Sequence, residues 1–70
     1  MKFVVCINNQ DYSASLEVRK IYQVLPDTQA NTHQMIRVID ESGEDYLYPS
    51  GYFMLIELSE TVQQALVASH

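Results

Sequence analysis

Cysteine, glycine, proline and tryptophan are scarce in this sequence, which contains one, two, two and none of them, respectively. The lone thiol, Cys6, cannot form an internal disulfide or a four-thiolate zinc site. Two glycines are too few for the glycine-rich loops that hold nucleotide phosphates. The apolar run at residues 3–7 is too short for a signal-peptide core or a membrane span. We therefore expect a cytoplasmic protein in which Cys6 is a small buried residue of a strand.

Basic residues are also few, and their placement is uneven. Four Lys and Arg residues stand against nine Asp and Glu residues, which gives a net charge of -5 at pH 7. All four basic residues lie within residues 1–37, and residues 38–70 contain none. A protein surface that binds nucleic acid or an anionic membrane needs clustered cations. The charge pattern therefore argues against both of these partners.

Apolar residues make up 47% of the 70 residues, which is enough for one small hydrophobic core. No repeat, linker or low-complexity stretch divides the chain, so we predict a single domain over residues 1–70. Runs of β-branched and alternating apolar residues favour strands. The predicted strands cover residues 2–8, 16–25, 35–39, 45–48 and 53–58, and residues 27–34 are predicted to form an exposed loop.

The hairpin over residues 35–48 has the clearest local pattern. Ile36 and Val38 alternate with Arg37, so the two apolar side chains should be buried and Arg37 exposed. Gly43 suits the positive φ angle of a short turn between two strands. The segment is therefore predicted to be an antiparallel hairpin that contains no helix.

A short amphipathic helix is predicted over residues 60–69, because Val62, Ala65 and Leu66 recur at helical spacing. A helix of this length is marginal alone and needs a surface to pack on. Two interpretations are open. In the first, these residues cover an open end of a barrel. In the second, Leu66 and Val67 form an apolar strip that pairs with a second chain.

The segment Tyr48-Pro49-Ser50-Gly51-Tyr52-Phe53 resembles the stretch around the 3₁₀ turn of the Src-homology-3 (SH3) superfold. In that family an apolar residue, Pro, Ser, a turn residue and Tyr precede an apolar core residue. Residues 16–25 are similar to the segment that leads into the family's second strand. The resemblance covers roughly residues 3–58. It implies a mainly β fold: an SH3-like small barrel of about five antiparallel strands, with the short C-terminal α-helix outside it.

In the SH3 family, proline-rich peptides dock on aromatic residues of the early loop, on a Trp that opens the third strand, and on the Pro and Tyr of the 3₁₀ turn. Pro49 and Tyr52 match the last two positions, and Tyr12 matches a loop aromatic. Gln34 and Met35 stand where the Trp is expected. The resemblance thus implies a peptide-binding site at Tyr12, Pro49 and Tyr52. The alternative is that the aromatic residues of this region serve only the core.

No other residues form a pattern typical of a catalytic or metal site. The carboxylates at residues 40–45 lack the ligand spacing of a calcium loop, and we interpret them as a solvated hairpin tip. His33 and His70 are not spaced with Cys6 or with a carboxylate as in metal or catalytic sites. We therefore predict a protein that is not an enzyme and that holds no metal or cofactor.

These observations favour a non-catalytic protein-interaction or accessory module, which acts on a protein partner or by self-association. The alternative is a small regulatory protein that binds RNA or a small ligand, because other small bacterial-type barrels of this fold bind RNA. An RNA surface would require the four cations of the chain to converge on one face. Those cations are Lys2, Arg19, Lys20 and Arg37.

Overall fold

The computed structural model describes residues 2–68, which form one five-stranded antiparallel sheet and two short helices. The strands are β1 (Lys2–Cys6), β2 (Ile21–Leu25), β3 (Met35–Ile39), β4 (Asp45–Pro49) and β5 (Phe53–Ile56). The helices are α1 (Thr28–Thr32) and α2 (Glu60–Ala68), and a 3₁₀ turn at Ser50–Tyr52 joins β4 to β5. The chain is thus mainly β with a short C-terminal helix, as predicted. Residue 69 of the predicted helix lies outside the described residues.

The strand order across the sheet is β4-β3-β2-β1-β5. Every neighbouring pair is antiparallel, and in β1 Val4 lies between Tyr22 of β2 and Leu55 of β5. The sheet is not closed into a ring, so β4 and β5 form its two edges. The predicted hairpin is confirmed: β3 and β4 pair antiparallel, and Gly43 in the turn has a φ angle of 84°.

One face of the sheet carries the hydrophobic core, because side chains alternate between the two faces along each strand. Cys6 is fully buried there in β1, as predicted from the sequence. Val38 is also fully buried, whereas Ile36 is half-buried and packs against the edge of the core. The buried core residues are Val4, Cys6, Leu16, Tyr22, Val38, Tyr48 and Phe53.

The strand predicted from residue 16 begins only at Ile21. Arg19 has a φ angle of 73°, a left-handed conformation that an extended strand does not contain. The Cys6 carbonyl accepts the Arg19 N–H at 2.7 Å, while the Cys6 N–H donates to the Lys20 carbonyl at 2.9 Å. Two residues thus face one residue of β1, as in a bulge. The prediction of a strand over residues 16–20 was wrong, yet Leu16 is buried in the core from its position in the loop.

The exposed loop predicted over residues 27–34 contains the helix α1. Asp27 caps its N-terminus, since one carboxylate oxygen accepts the Ala30 N–H at 2.9 Å. Ala30 is buried, which holds this single helical turn against the sheet next to β3. The prediction of a loop was wrong because the segment is polar except for Ala30, and a five-residue helix is too short for a clear helical periodicity.

The helix α2 lies beside the face of the sheet opposite the core. Phe3 is buried and lies opposite Gln23 and Ile56 on the face away from the core. Leu66 and Val67 of α2 line the same depression as Phe3, and both are half-buried. Of the three residues predicted to form the buried stripe, Leu66 is half-buried, whereas Val62 and Ala65 are exposed. The helix therefore turns Leu66 and Val67 toward the sheet, rather than presenting Val62 and Ala65 to it.

Candidate functional site

Two tyrosines that are far apart in sequence meet at one end of the core. The rings of Tyr12 and Tyr52 have centroids 6.0 Å apart in an edge-to-face arrangement. Tyr12 also packs edge-on against the buried Tyr48, at 4.9 Å and an interplanar angle of 89°. Both Tyr12 and Tyr52 are half-buried. We call Tyr12 and Tyr52 the tyrosine pair; each has one side in contact with the core region and part of its surface open to a ligand.

Hydrogen bonds of the backbone hold the tyrosine pair in place. Tyr12 lies in a turn in which its N–H donates to the Asn9 carbonyl at 2.8 Å and its carbonyl accepts the Leu16 N–H at 2.9 Å. The Tyr52 carbonyl accepts the Ile7 N–H at 2.8 Å, which ties the 3₁₀ turn to the end of β1. The Tyr52 hydroxyl donates to the Gln10 carbonyl at 3.2 Å. The early loop and the 3₁₀ turn are therefore linked directly through this pair.

Pro49, the third residue of the predicted site, is the last residue of β4 and directly precedes the 3₁₀ turn. It lies opposite Met35 of β3, and its ring is half-buried. Because Tyr48 points into the core, strand alternation directs the Pro49 ring to the opposite face of β4. The structure therefore brings Tyr12 and Tyr52 of the predicted site into contact, and it places the Pro49 ring on the other face of β4.

Two carboxylates of the predicted solvated turn accept hydrogen bonds from buried tyrosines. The Tyr48 hydroxyl donates to Asp40 Oδ2 at 2.7 Å and also lies 2.8 Å from Ser15 Oγ. The Tyr22 hydroxyl donates to Glu41 Oε2 at 2.5 Å. Residues 41–45 are exposed, as expected of a solvated hairpin tip, and Asp40 and Glu41 have in addition a structural role that the sequence did not predict. A buried hydroxyl requires a partner, and these two side chains of the turn supply it.

The same contacts shift the pKa values of the groups involved. Hydrogen bonds from the Lys20 ammonium and the Tyr22 hydroxyl hold the pKa of Glu41 below its usual value. Burial, reinforced by the hydrogen bond to Glu41, raises the pKa of Tyr22. Burial raises the pKa of Tyr48 to about 12, and the neighbouring Asp40 carboxylate adds to the shift. The tyrosines therefore stay neutral, and Glu41 stays ionised, over the physiological pH range.

We expect the free energy of unfolding to fall as the pH rises through about 10 to 12. An unfolded tyrosine ionises near pH 10, whereas Tyr48 in the folded protein ionises only at about 12. The stabilisation that comes from this pKa difference of Tyr48 is therefore fully present below pH 10. It falls by on the order of 2 kcal/mol as the pH rises toward 12. Urea unfolding followed by circular dichroism at several pH values measures it. Tyr48→Phe should reduce this alkaline loss, and the matched control Tyr46→Phe, at an exposed position, should keep it.

The basic side chains are distributed among separate acidic partners. Lys20 pairs with Glu41 at 2.8 Å. Arg37 is half-buried rather than exposed, because its guanidinium pairs with Asp27 at 2.9 Å and with Asp45 at 2.7 Å. The positive charges of Lys20 and Arg37 are therefore largely neutralised by neighbouring carboxylates. This arrangement does not favour a phosphate-binding surface.

An apolar cleft of about 710 Å³ opens at the end of the core face near Lys2. Val4, Val24 and Ile36 line it from three strands. Phe53 and Leu55 line it from β5, and α1 contributes Thr28 and Asn31 to its rim.

Within residues 2–68, no group of three or more His, Cys, Asp or Glu side chains is placed to hold a metal ion. In the same part of the chain, no buried side-chain nitrogen or oxygen lacks a hydrogen-bond partner. Neither described helix has the length and apolar character needed to cross a membrane. The tyrosine pair and the apolar cleft are the candidate binding features of the described part of the chain.

Comparison with known proteins found no matching family model, no similar curated protein and no similar solved structure.

Proposed function

We propose that this chain is a non-catalytic protein-interaction module that binds an extended peptide segment at the tyrosine pair. The observation that carries this proposal is the contact of Tyr12 and Tyr52 across 6.0 Å on a half-exposed surface. Tyrosines with one side packed and one side open are common anchors of protein interfaces, because they bury a large area at a small entropic cost.

We further propose that the five-stranded sheet is an open SH3-like barrel. The strand order supports this proposal, because the last strand, β5, pairs with the first strand, β1, rather than with β4. The 3₁₀ turn supports it as well, since it lies between β4 and β5, in the segment whose sequence resembles the family. The fold alone does not carry the family's activity, so the peptide-binding proposal depends on the tyrosine pair.

The chemistry of the polar groups supports a non-catalytic role. A general acid or base must reach a substrate from a site that shifts its pKa toward neutrality. Here the pKa shifts of Glu41 and Tyr48 point away from neutrality, and Asp40 and Glu41 are engaged with tyrosine hydroxyls. We also propose a cytoplasmic setting, in which the buried Cys6 stays a free thiol in the core.

A titration of the labelled protein with a proline-rich peptide, followed by amide chemical shifts, tests the peptide-binding proposal. We expect shifts that cluster at residues 10–12 and 50–52, with a dissociation constant in the micromolar range or weaker because no tryptophan forms a wall of the site. Tyr52→Ala should weaken binding by on the order of tenfold. The matched control is Val62→Ala, which truncates an exposed residue of α2 and should leave the affinity unchanged. Shifts scattered over the sheet, or equal affinity for both variants, would contradict the proposal.

Binding of RNA or of a small ligand stands second. The ion pairs of Lys20 and Arg37 with carboxylates make an RNA surface the weaker choice. The apolar cleft beside Leu55 favours a small apolar ligand over RNA within this alternative. We rank both below the interaction module, because the tyrosine pair joins two loops that the strand framework alone would not bring together.

A further inference from the structure

The two edges of the sheet differ in their capacity to add another strand. On β4, the Ser50 N–H donates to the Gln34 carbonyl and the Asp40 N–H to the Glu44 carbonyl. Along a strand of an antiparallel pair, successive residues direct their backbone N–H and carbonyl groups alternately toward the partner strand and away from it. Asp45, Leu47 and Pro49 therefore direct these groups away from β3. Pro49 has no N–H, and an acidic residue starts the strand. Such features are the usual means of protecting an edge.

The outer edge of β5 lacks this protection. The Ile7 N–H donates to the Tyr52 carbonyl. By the same alternation, the backbone groups of Met54 and Ile56 form hydrogen bonds with β1, whereas those of Phe53 and Leu55 point away from the sheet. The Phe53 N–H is taken by the Ser50 carbonyl. Among residues 2–68, no hydrogen-bond partner is found for the Leu55 N–H or carbonyl. Both the N–H and the carbonyl of Leu55, near the centre of β5, are therefore available to pair with a further strand.

The side chains around this position are apolar on both faces. Leu55 lies on the core face and is 66% exposed, and Met54 lies on the opposite face and is 58% exposed. The strand Phe53–Ile56 contains no charged or proline residue. An edge of this kind is a template for another strand.

We propose that β5 pairs antiparallel with β5 of a second copy of this chain, centred on Leu55, so that the protein forms a symmetric dimer with a continuous ten-stranded sheet. In this register Leu55 lies opposite the partner's Leu55, and their N–H and carbonyl groups exchange two hydrogen bonds. Met54 lies opposite the partner's Ile56 on the other face. The pairing is independent of the proposed peptide-binding function, which uses the tyrosine pair.

A second copy fits this edge because β5 is complementary to itself. The antiparallel register brings apolar residues together on both faces, and Glu57 falls opposite the partner's Phe53 rather than opposite another carboxylate. On the core face, the partner's Leu55 would lie at the mouth of the apolar cleft, which Leu55 itself lines. Leu47 of β4 also faces outward, but the missing N–H of Pro49 and the carboxylate of Asp45 on either side of it disfavour an added strand, so we expect assembly to stop at two chains.

Sedimentation equilibrium of the full chain over a wide concentration range tests the proposal. We expect the mass to rise from monomer toward dimer and to stop there. Leu55→Lys should raise the dissociation constant of the dimer by on the order of 30-fold or more. Because Leu55 is exposed in the single chain, the variant should keep its fold, which circular dichroism verifies. Val62→Lys is the matched control: it adds the same charge at an exposed apolar position of α2 and should leave the dimer intact.

A second variant isolates the backbone hydrogen bond. Chemical synthesis of the chain with an N-methyl group on the Leu55 amide removes the donor and keeps the side chain. We expect it to weaken the dimer and leave the monomer folded, since no partner for this N–H is found among residues 2–68. In the wild type, exchange of the Leu55 amide should slow as the concentration rises. A wild type that stays monomeric, a chain that polymerises beyond two copies, or a dimer that neither Leu55 variant weakens would overturn the proposal.

Discussion

Replacing Phe53 with alanine is expected to lower the free energy of unfolding by about 3–5 kcal/mol, the range for a buried phenylalanine. Phe53 is only 7% exposed and packs edge-to-face on Tyr48, with ring centroids 6.1 Å apart. It also covers the region where β5 returns to β1, opposite Cys6. For a domain of 70 residues, a loss of this size approaches the whole stability.

Thermal and urea unfolding of Phe53→Ala measure this loss, and Met54→Ala is the control on the neighbouring residue. Met54 is 58% exposed, so its truncation should change the stability of the monomer by no more than about 0.5 kcal/mol. The measurement is made at a concentration too low for association of the chain. Equal losses for the two variants would show that the assignment of the faces of β5 is wrong.

Leu16→Ala is expected to have an effect nearly as large, about 2–5 kcal/mol. Leu16 is 1% exposed although it belongs to no strand. The early loop folds back over the core and holds this side chain there: the Leu16 N–H donates to the Tyr12 carbonyl, and its carbonyl accepts from Asn9 Nδ2 at 3.0 Å. Truncation would leave a cavity beneath the loop and would loosen the support of Tyr12.

The control for Leu16→Ala is Val18→Ala, two residues further along the same loop. Val18 is 39% exposed, and we expect its truncation to cost well under 1 kcal/mol. Chemical denaturation of both variants separates the two positions. If Val18→Ala proved the more damaging, the loop would pack in a different register from the one described.

The acidic turn accepts hydrogen bonds from two tyrosine hydroxyls, a role that the sequence alone did not reveal. The sequence shows a cluster of carboxylates in a hairpin turn, a pattern typical of solvated loops. The structure places the carboxylates of Asp40 and Glu41 next to the hydroxyls of the buried Tyr48 and Tyr22, which come from β4 and β2. Five tyrosines and no tryptophan were the available signal, since buried phenols need acceptors. Which acceptors they find depends on the strand order.

Local stereochemistry explains what the sequence determined by itself. Alternation of Ile36, Arg37 and Val38 and the positive φ angle at Gly43 produce the β3–β4 hairpin wherever it is placed. Helical spacing and the serine at position 59, whose hydroxyl accepts the Val62 N–H at 3.3 Å, likewise produce α2. The positions of these elements follow from residues within a few positions of each other, so a sequence pattern is sufficient to predict where they lie, although a helix as short as α2 also needs a surface to pack on.

The tertiary structure decided everything that joins distant parts of the chain. The burial of Leu16 from a loop, the docking of α2 through Leu66 and Val67, and the contact of Tyr12 with Tyr52 all depend on the order β4-β3-β2-β1-β5. The same order makes β5 an edge and leaves the backbone of Leu55 without a partner among the described residues. Alternation along a strand tells which side chains share a face, but neighbouring strands determine what covers that face, because burial and hydrogen bonding are properties of pairs of segments.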